Sequence, residues 1–163
     1  MDQQSKDTKA AAEHLLRGQS TLVLSTVNSD GTPYATPLFY LLGDELELYW
    51  FSSASSQHSQ NLSHGGAVSA AVYVATERWR EICGVQVKGT AEKITDRKVR
   101  REITRRYCER FHLGQVFRLA FARSSLYVFR PSWLRYIDNS KRFGFRSEVS
   151  LPATPGENPV RTS

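Results

Sequence analysis

Residues Glu45 to Phe51 run Glu-Leu-Glu-Leu-Tyr-Trp-Phe, with Leu46, Leu48 and Trp50 alternating with Glu45, Glu47 and Tyr49. That two-residue period belongs to a strand with one face buried and one face solvated. A half-buried strand needs neighbours, and the flanking chain offers them. Thr21 to Val27 is β-branched and apolar and ends at Asn28-Ser29-Asp30-Gly31, where Asp-Gly signals a hairpin turn. Pro33 to Leu42 returns and turns at Gly43-Asp44. Ala67 to Val74 predicts a fourth strand. Ile82 to Ile94 predicts a long fifth one, with Val85 and Val87 opposite Gln86 and Lys88 and a bulge at Gly89. Ser125 to Pro131 and Trp133 to Asp138 predict two short ones.

Two helices complete the pattern. Thr8 to Arg17 is rich in Ala and Leu and is followed by Gly18 as a stop. Thr95 to Phe111 repeats Val99, Ile103, Tyr107 and Phe111 every four residues, an apolar stripe flanked by arginines. Six or seven strands with an N-terminal helix and one late helix predict a mainly β domain, a small closed or partly open barrel over residues 1–146. From Ser147 the chain carries Pro152, Pro155, Gly156 and Pro159, and is expected to be disordered or loosely attached.

Charge and cysteine usage narrow the function. The 22 Lys and Arg exceed the 16 Asp and Glu, and much of the excess lies in Arg97-Lys98-Val99-Arg100-Arg101 and Arg105-Arg106. A solvated helix face is the expected reading, with nucleic-acid binding as the competitor. Cys83 and Cys108 are far apart and lie in no cluster with zinc-ligand spacing, so neither a metal site nor a catalytic thiol is expected. No run of apolar residues is long enough for a membrane span, and the N-terminus lacks signal-peptide order, which predicts a cytoplasmic protein. No Ser-His-Asp order, carboxylate pair or phosphate-binding glycine loop is present.

Three segments could carry chemistry. Ser52-Ser53-Ala54-Ser55-Ser56-Gln57-His58-Ser59-Gln60-Asn61-Leu62 follows a strong strand and opens a helix. It gathers hydroxyls, backbone N–H groups and His58 without a carboxylate, which suits a phosphate; a plain helix cap is the alternative. Gly84 would let a flat ligand approach the strand on which Gln86 and Lys88 could donate hydrogen bonds. Trp133 and Tyr136 could cover a ligand ring or pack in a dimer contact, beside a structured turn at Asp138-Asn139 and Phe143-Gly144.

Taken in order, these motifs resemble the pyridoxamine 5'-phosphate oxidase superfamily, and within it a bacterial branch of unassigned activity. The resemblance runs from Thr21 to Phe145 through Asp30-Gly31-Thr32-Pro33-Tyr34-Ala35-Thr36-Pro37, Phe51-Ser52, Ser56-Gln57-His58 and Val87-Lys88-Gly89. It implies a split β-barrel, a homodimer, and flavin mononucleotide (FMN) in the groove between subunits. Carried over by position, the strand Thr36 to Leu41, with Thr36, Pro37 and Leu38 as cofactor-binding residues, would run beside the flavin ring. Phe51 and Ser52 would line the ring and ribityl chain, Gln57 and His58 would approach the phosphate, and Gly84 would lie near the ring edge. Ser53, Ser56, Gln86 and Lys88, the last two as donors to ring oxygens or a phosphate, complete the expected cofactor-binding set. The sequence departs from the oxidases at Thr36, Leu41, Gln57-His58 and Gly84, and shows no Arg-x-His substrate clamp between Trp133 and Phe145. The expectation is therefore an FMN-binding, oxidoreductase-like protein acting on an unidentified small molecule, rather than a true pyridoxamine-phosphate oxidase. A non-enzymatic protein that binds haem, a deazaflavin or nucleic acid is the alternative.

Overall fold

The protein is seen in a computed structural model that describes residues 2–63, 67–114 and 120–152. Among the described residues, helices α1 (Gln3–Gly18), α2 (Gln57–Ser63) and α3 (Arg97–Arg110) and a short 3-10 helix (Trp79–Glu81) accompany eight strands. These are β1 (Thr21–Val27), β2 (Pro33–Phe39), β3 (Leu41–Leu42), β4 (Leu48–Ser52), β5 (Ala67–Tyr73), β6 (Cys83–Lys93), β7 (Ser125–Asp138) and β8 (Arg146–Ser150). One antiparallel sheet runs β2-β1-β5-β6-β7-β4-β3, with β8 added on β7. The sheet curls into the expected split barrel. At Tyr40 the chain leaves the ladder with β1 and joins the ladder with β4. The Tyr40 hydroxyl donates to the Leu16 carbonyl, which ties this bend to α1. No ladder joins β2 to β4 among the described strands, and that gap is the split.

Alternation places the core. Leu22 and Leu24 on β1, Leu48 and Trp50 on β4, Val85 and Val87 on β6 and Phe129 and Leu134 on β7 all face inward and are fully buried. Ala12, Leu15 and Leu16 of α1 pack into the same cluster. The helix begins earlier than its composition suggests because the Asp2 carboxylate accepts the Ser5 N–H and caps it. The Asn28 to Gly31 hairpin forms as expected, with Gly31 at φ +84°.

Several boundaries differ from expectation, each for a local reason. Pro33 to Leu42 is two strands, because the ladder partner changes at Tyr40. Leu46 takes φ +67° in the turn after Gly43, so β4 starts at Leu48 although Leu46 is still buried. The segments on either side of Pro131 are one strand. The register shifts between Lys88 and Gly89 where Gly89 faces Pro131, and this bulge accommodates a residue with no N–H to give. A side chain at Gly89 would overlap the Arg130 carbonyl, which explains the glycine. The segment expected to be loose from Ser147 instead forms most of β8. Beyond the end of its ladder with β4, β7 has a free edge, and β8 fills it with Val149 opposite Leu134. Residues 153–163 of the expected tail lie outside the described residues.

Candidate functional site

The serine segment leaves β4 at Ser52 and enters α2. Ser56 Oγ lies 3.0 Å from Ser52 Oγ, 2.8 Å from Ser59 Oγ and 2.8 Å from the Ser53 carbonyl. His58 Nε2 lies 2.8 Å from Ser52 Oγ and 3.2 Å from Ser56 Oγ. Ser53 Oγ accepts the Ser55 N–H. Thus Ser52, Ser53, Ser56 and His58 do come together, but largely on one another. His58 is buried, and desolvation holds its imidazole below the ordinary 6.5. It is neutral at pH 7 and adds no positive charge. Gln57 is exposed and donates to Asn61 along the helix. Asn61 in turn donates to Thr26 Oγ1 and Asn28 Oδ1, both at 2.9 Å, which fixes α2 to the first hairpin.

Beside this loop, α3 covers the split. Ile103 and Tyr107 are buried against Leu41 and Leu126, as the four-residue stripe implies. Val99, expected to pack there, is 38% exposed, one turn too far toward the helix start to meet the barrel. At the other end of the helix the packing is incomplete. Pro37, Leu38 and Phe39 of β2, Phe51 of β4, and Tyr107, Phe111, Leu113 and Phe121 wall an open cleft of about 650 Å³. Phe51 stacks on Phe121 at 4.3 Å between centroids, and Tyr107 meets Phe51 edge-on at 5.3 Å. Burial raises the Tyr107 phenol above its ordinary 10, so it stays protonated. No carboxylate lines this cleft among the described residues.

Gln86 and Lys88 lie elsewhere, on the outer face of the sheet. There they share a hollow of about 270 Å³ with Val23, Ser25, Ser69, Trp133 and Arg135. Lys88 Nζ sits 4.6 Å from the centre of the Trp133 ring, and Gln86 Oε1 accepts from Arg135. Gly84 is buried, and a Cβ there would sit in tight contact with the Val72 carbonyl at 3.1 Å and the Tyr73 Cβ at 3.3 Å. Thr36 is half-buried on β2 opposite Leu24. Within one chain the sequence-derived site therefore separates into three groups: Pro37, Leu38 and Phe51 in the cleft, the serine–histidine cluster, and Gln86 with Lys88 on the outer face. Phe39, Tyr107, Phe111, Leu113 and Phe121 were not singled out as site residues. The Tyr107–Phe111 spacing was the available signal, but a stripe of that kind reads first as core.

The helix arginines divide as well. Arg105 pairs with Glu102 and Glu109, Arg106 with Asp44, and Arg110 donates to the Arg17 carbonyl. Arg100 is not the solvated residue its position suggests: it is half-buried and donates to the carbonyls of Phe121 and Ser124. Among the described residues no group of three or more His, Cys, Asp or Glu could hold a metal, and no helix is long and apolar enough to cross a membrane.

Several solved structures share this fold. A haem-binding protein from Mycobacterium smegmatis superposes with a TM-score of 0.71 at 16% identity, over 92% of this chain and 59% of that one. This chain therefore spans little more than half the length of that protein. A conserved hypothetical protein from Mycobacterium tuberculosis gives 0.71 at 19% identity, over 98% and 94%. HutZ, the haem storage protein of Vibrio cholerae, gives 0.62 at 16%, over 80% and 91%. At these identities the likeness is one of fold. No curated protein matches the sequence. The sequence pattern of the pyridoxamine 5'-phosphate oxidase family matches residues 8–138, which span the barrel from α1 to the end of β7, and the chain belongs to that family.

Proposed function

We propose that this protein binds FMN with the ring in the aromatic cleft, and acts as an oxidoreductase-like member of its family. The cleft carries the reading. It is an open cleft walled by Phe51, Tyr107, Phe111 and Phe121, with no carboxylate among its described lining residues, and it opens where β4 passes into the serine segment. Such walls favour a flat, apolar ring through burial and stacking. When bound, a flavin supplies hydride and electron transfer at its ring. The chain's own part is to hold the ring against this aromatic wall and shield that face from water. Tyr107, protonated and buried, is no base at neutral pH.

The serine segment fits a phosphate less well than the cleft fits a ring. Its hydroxyls are already bonded to one another, His58 is neutral, and Gln57 points along α2. This argues against a true pyridoxamine-phosphate oxidase. Haem is a second reading, favoured by the wholly apolar and aromatic lining and by the haem-binding proteins among the structural neighbours.

We place the working protein as a homodimer. Phe39 and Tyr73, each 58% exposed, and the small residues Val23, Ser25, Ser69 and Ala71 form an outer sheet face on which a second copy can sit. Sedimentation is expected to give twice the 18.5 kDa chain mass. Titration with riboflavin, FMN and haemin, followed by visible absorbance and flavin fluorescence, tests the ligand. Saturable binding of a flavin, weakened by Phe121→Ala, supports the reading. Binding of haemin alone would replace FMN with haem, and no binding of any of the three would remove the cofactor role.

A further inference from the structure

The charge missing from the serine segment is concentrated on α3. Residues Arg97 to Arg110 hold seven Arg and Lys against two Glu, a net +5 in a chain whose total is +6. Four of these cations, Arg97, Lys98, Arg100 and Arg101, fall in the first five residues, where the helix dipole disfavours positive charge. Among the described residues, the salt bridges of α3 all lie further along, at Arg105 and Arg106. Arg97 and Arg101 are exposed and have no partner among the described residues. With Arg100, Thr104 and Arg105 they line a hollow of about 480 Å³.

The hollow and the cleft are both walled by α3. Arg97, Arg100, Thr104, Tyr107 and Phe111 follow one another at spacings of three and four, so they form one stripe along the helix. Tyr107 and Phe111 wall the cleft; Arg97, Arg100 and Thr104 wall the hollow. From Tyr107 to Arg100 is roughly 10 Å along the axis at helical rise. Arg100 stands at the junction. Its guanidinium lies 5.5 Å from the centre of the Phe51 ring, and the Phe121 carbonyl, whose own ring stacks on Phe51, holds it in place.

We propose that the hollow of Arg97, Arg100 and Arg101 takes the oxyanion tail of the ligand whose ring fills the cleft: the phosphate of a flavin nucleotide or the propionates of haem. This rests on the cleft reading above and moves the anion away from the serine segment. Guanidinium groups with free donors bind phosphate or carboxylate through charge-assisted, often bidentate hydrogen bonds. Arg100 is pre-positioned by its carbonyl partners, while the exposed Arg97 and Arg101, without a partner among the described residues, can close on the anion.

The test compares ligands with and without the tail. The parent protein, the double variant Arg97→Gln/Arg101→Gln and the variant His58→Gln are titrated with riboflavin and FMN, and with haemin and its dimethyl ester. Both arginines are exposed, so the double variant should fold, and unchanged riboflavin affinity checks that the cleft is intact. The parent is expected to bind FMN roughly tenfold or more tighter than riboflavin. That gap should close in the double variant and persist in His58→Gln. If haem is the ligand, the double variant should weaken haemin and leave its ester unchanged. A gap that survives the double variant, or disappears in His58→Gln, overturns the proposal and returns the anion to the serine segment. Equal binding of the ligands with and without the tail by the parent overturns it while leaving the cleft reading intact. If the parent binds none of the four, the cleft reading fails and this site fails with it.

Discussion

The described residues form two apolar clusters, and they are finished differently. Inside the barrel, Leu24, Leu48, Trp50, Val85 and Phe129 are enclosed by the curled sheet, with α1 packed into the same cluster. Under α3, Leu41, Ile103, Tyr107 and Leu126 are buried, but Phe51, Phe111, Leu113 and Phe121 around them are only partly covered. A sheet that wraps on itself covers its inner face from every side. A single amphipathic helix laid over a split covers a stripe, and the aromatic residues at its end keep an open side. The closed cluster holds the fold together; the open one leaves room for a ring.

Substitutions can sharpen or break this contrast. Leu48→Ala, in the closed cluster, is expected to cost about 4 kcal/mol of stability in urea unfolding, because the rigid surroundings cannot collapse onto the cavity. Ile103→Ala removes a similar volume from the open cluster and should cost about 2 kcal/mol, since α3 can settle onto the gap. Equal midpoints for the two variants would mean that the clusters are equally closed. Phe111→Ala should cost still less, about 1 kcal/mol, because the ring is only half-buried. It should nevertheless weaken ligand binding, whereas a variant that binds flavin or haemin as the parent does would show that the cleft is not the site.

The smallest effect concerns His58. Desolvation lowers its pKa in the folded protein below the ordinary 6.5, so the unfolded chain takes up a proton that the folded protein does not. The stability contributed by the neutral imidazole is present above about pH 6.5 and declines as the pH falls toward the folded value. Unfolding midpoints between pH 7 and pH 5 should drop more for the parent than for His58→Gln. Parallel curves would show that His58 is solvated and able to carry charge, which would restore the serine segment as an anion site.

Much of the fold was legible in local sequence, because its signals act over a few residues. The alternation around Leu48 and Trp50, the Asn28–Gly31 turn, the Gly89 bulge and the Ile103–Tyr107 stripe all appear where they were expected. The serine segment was found too, and Ser52, Ser56 and His58 do converge. What their convergence does was decided by tertiary structure: burial makes the imidazole neutral, and proximity lets the hydroxyls satisfy one another. The same holds for the arginines, which look alike in sequence until Asp44, the Phe121 carbonyl and the Arg17 carbonyl claim Arg106, Arg100 and Arg110 and leave Arg97 and Arg101 without a partner among the described residues. The union of both sides of Pro131 in one strand, the docking of Ser147 to Ser150 on its free edge, and the cleft beside Phe51 are likewise choices of partner across long stretches of chain. Periodicity and turn chemistry state which face of each element is apolar. Which faces meet, and whether they meet completely, depends on how the whole barrel closes.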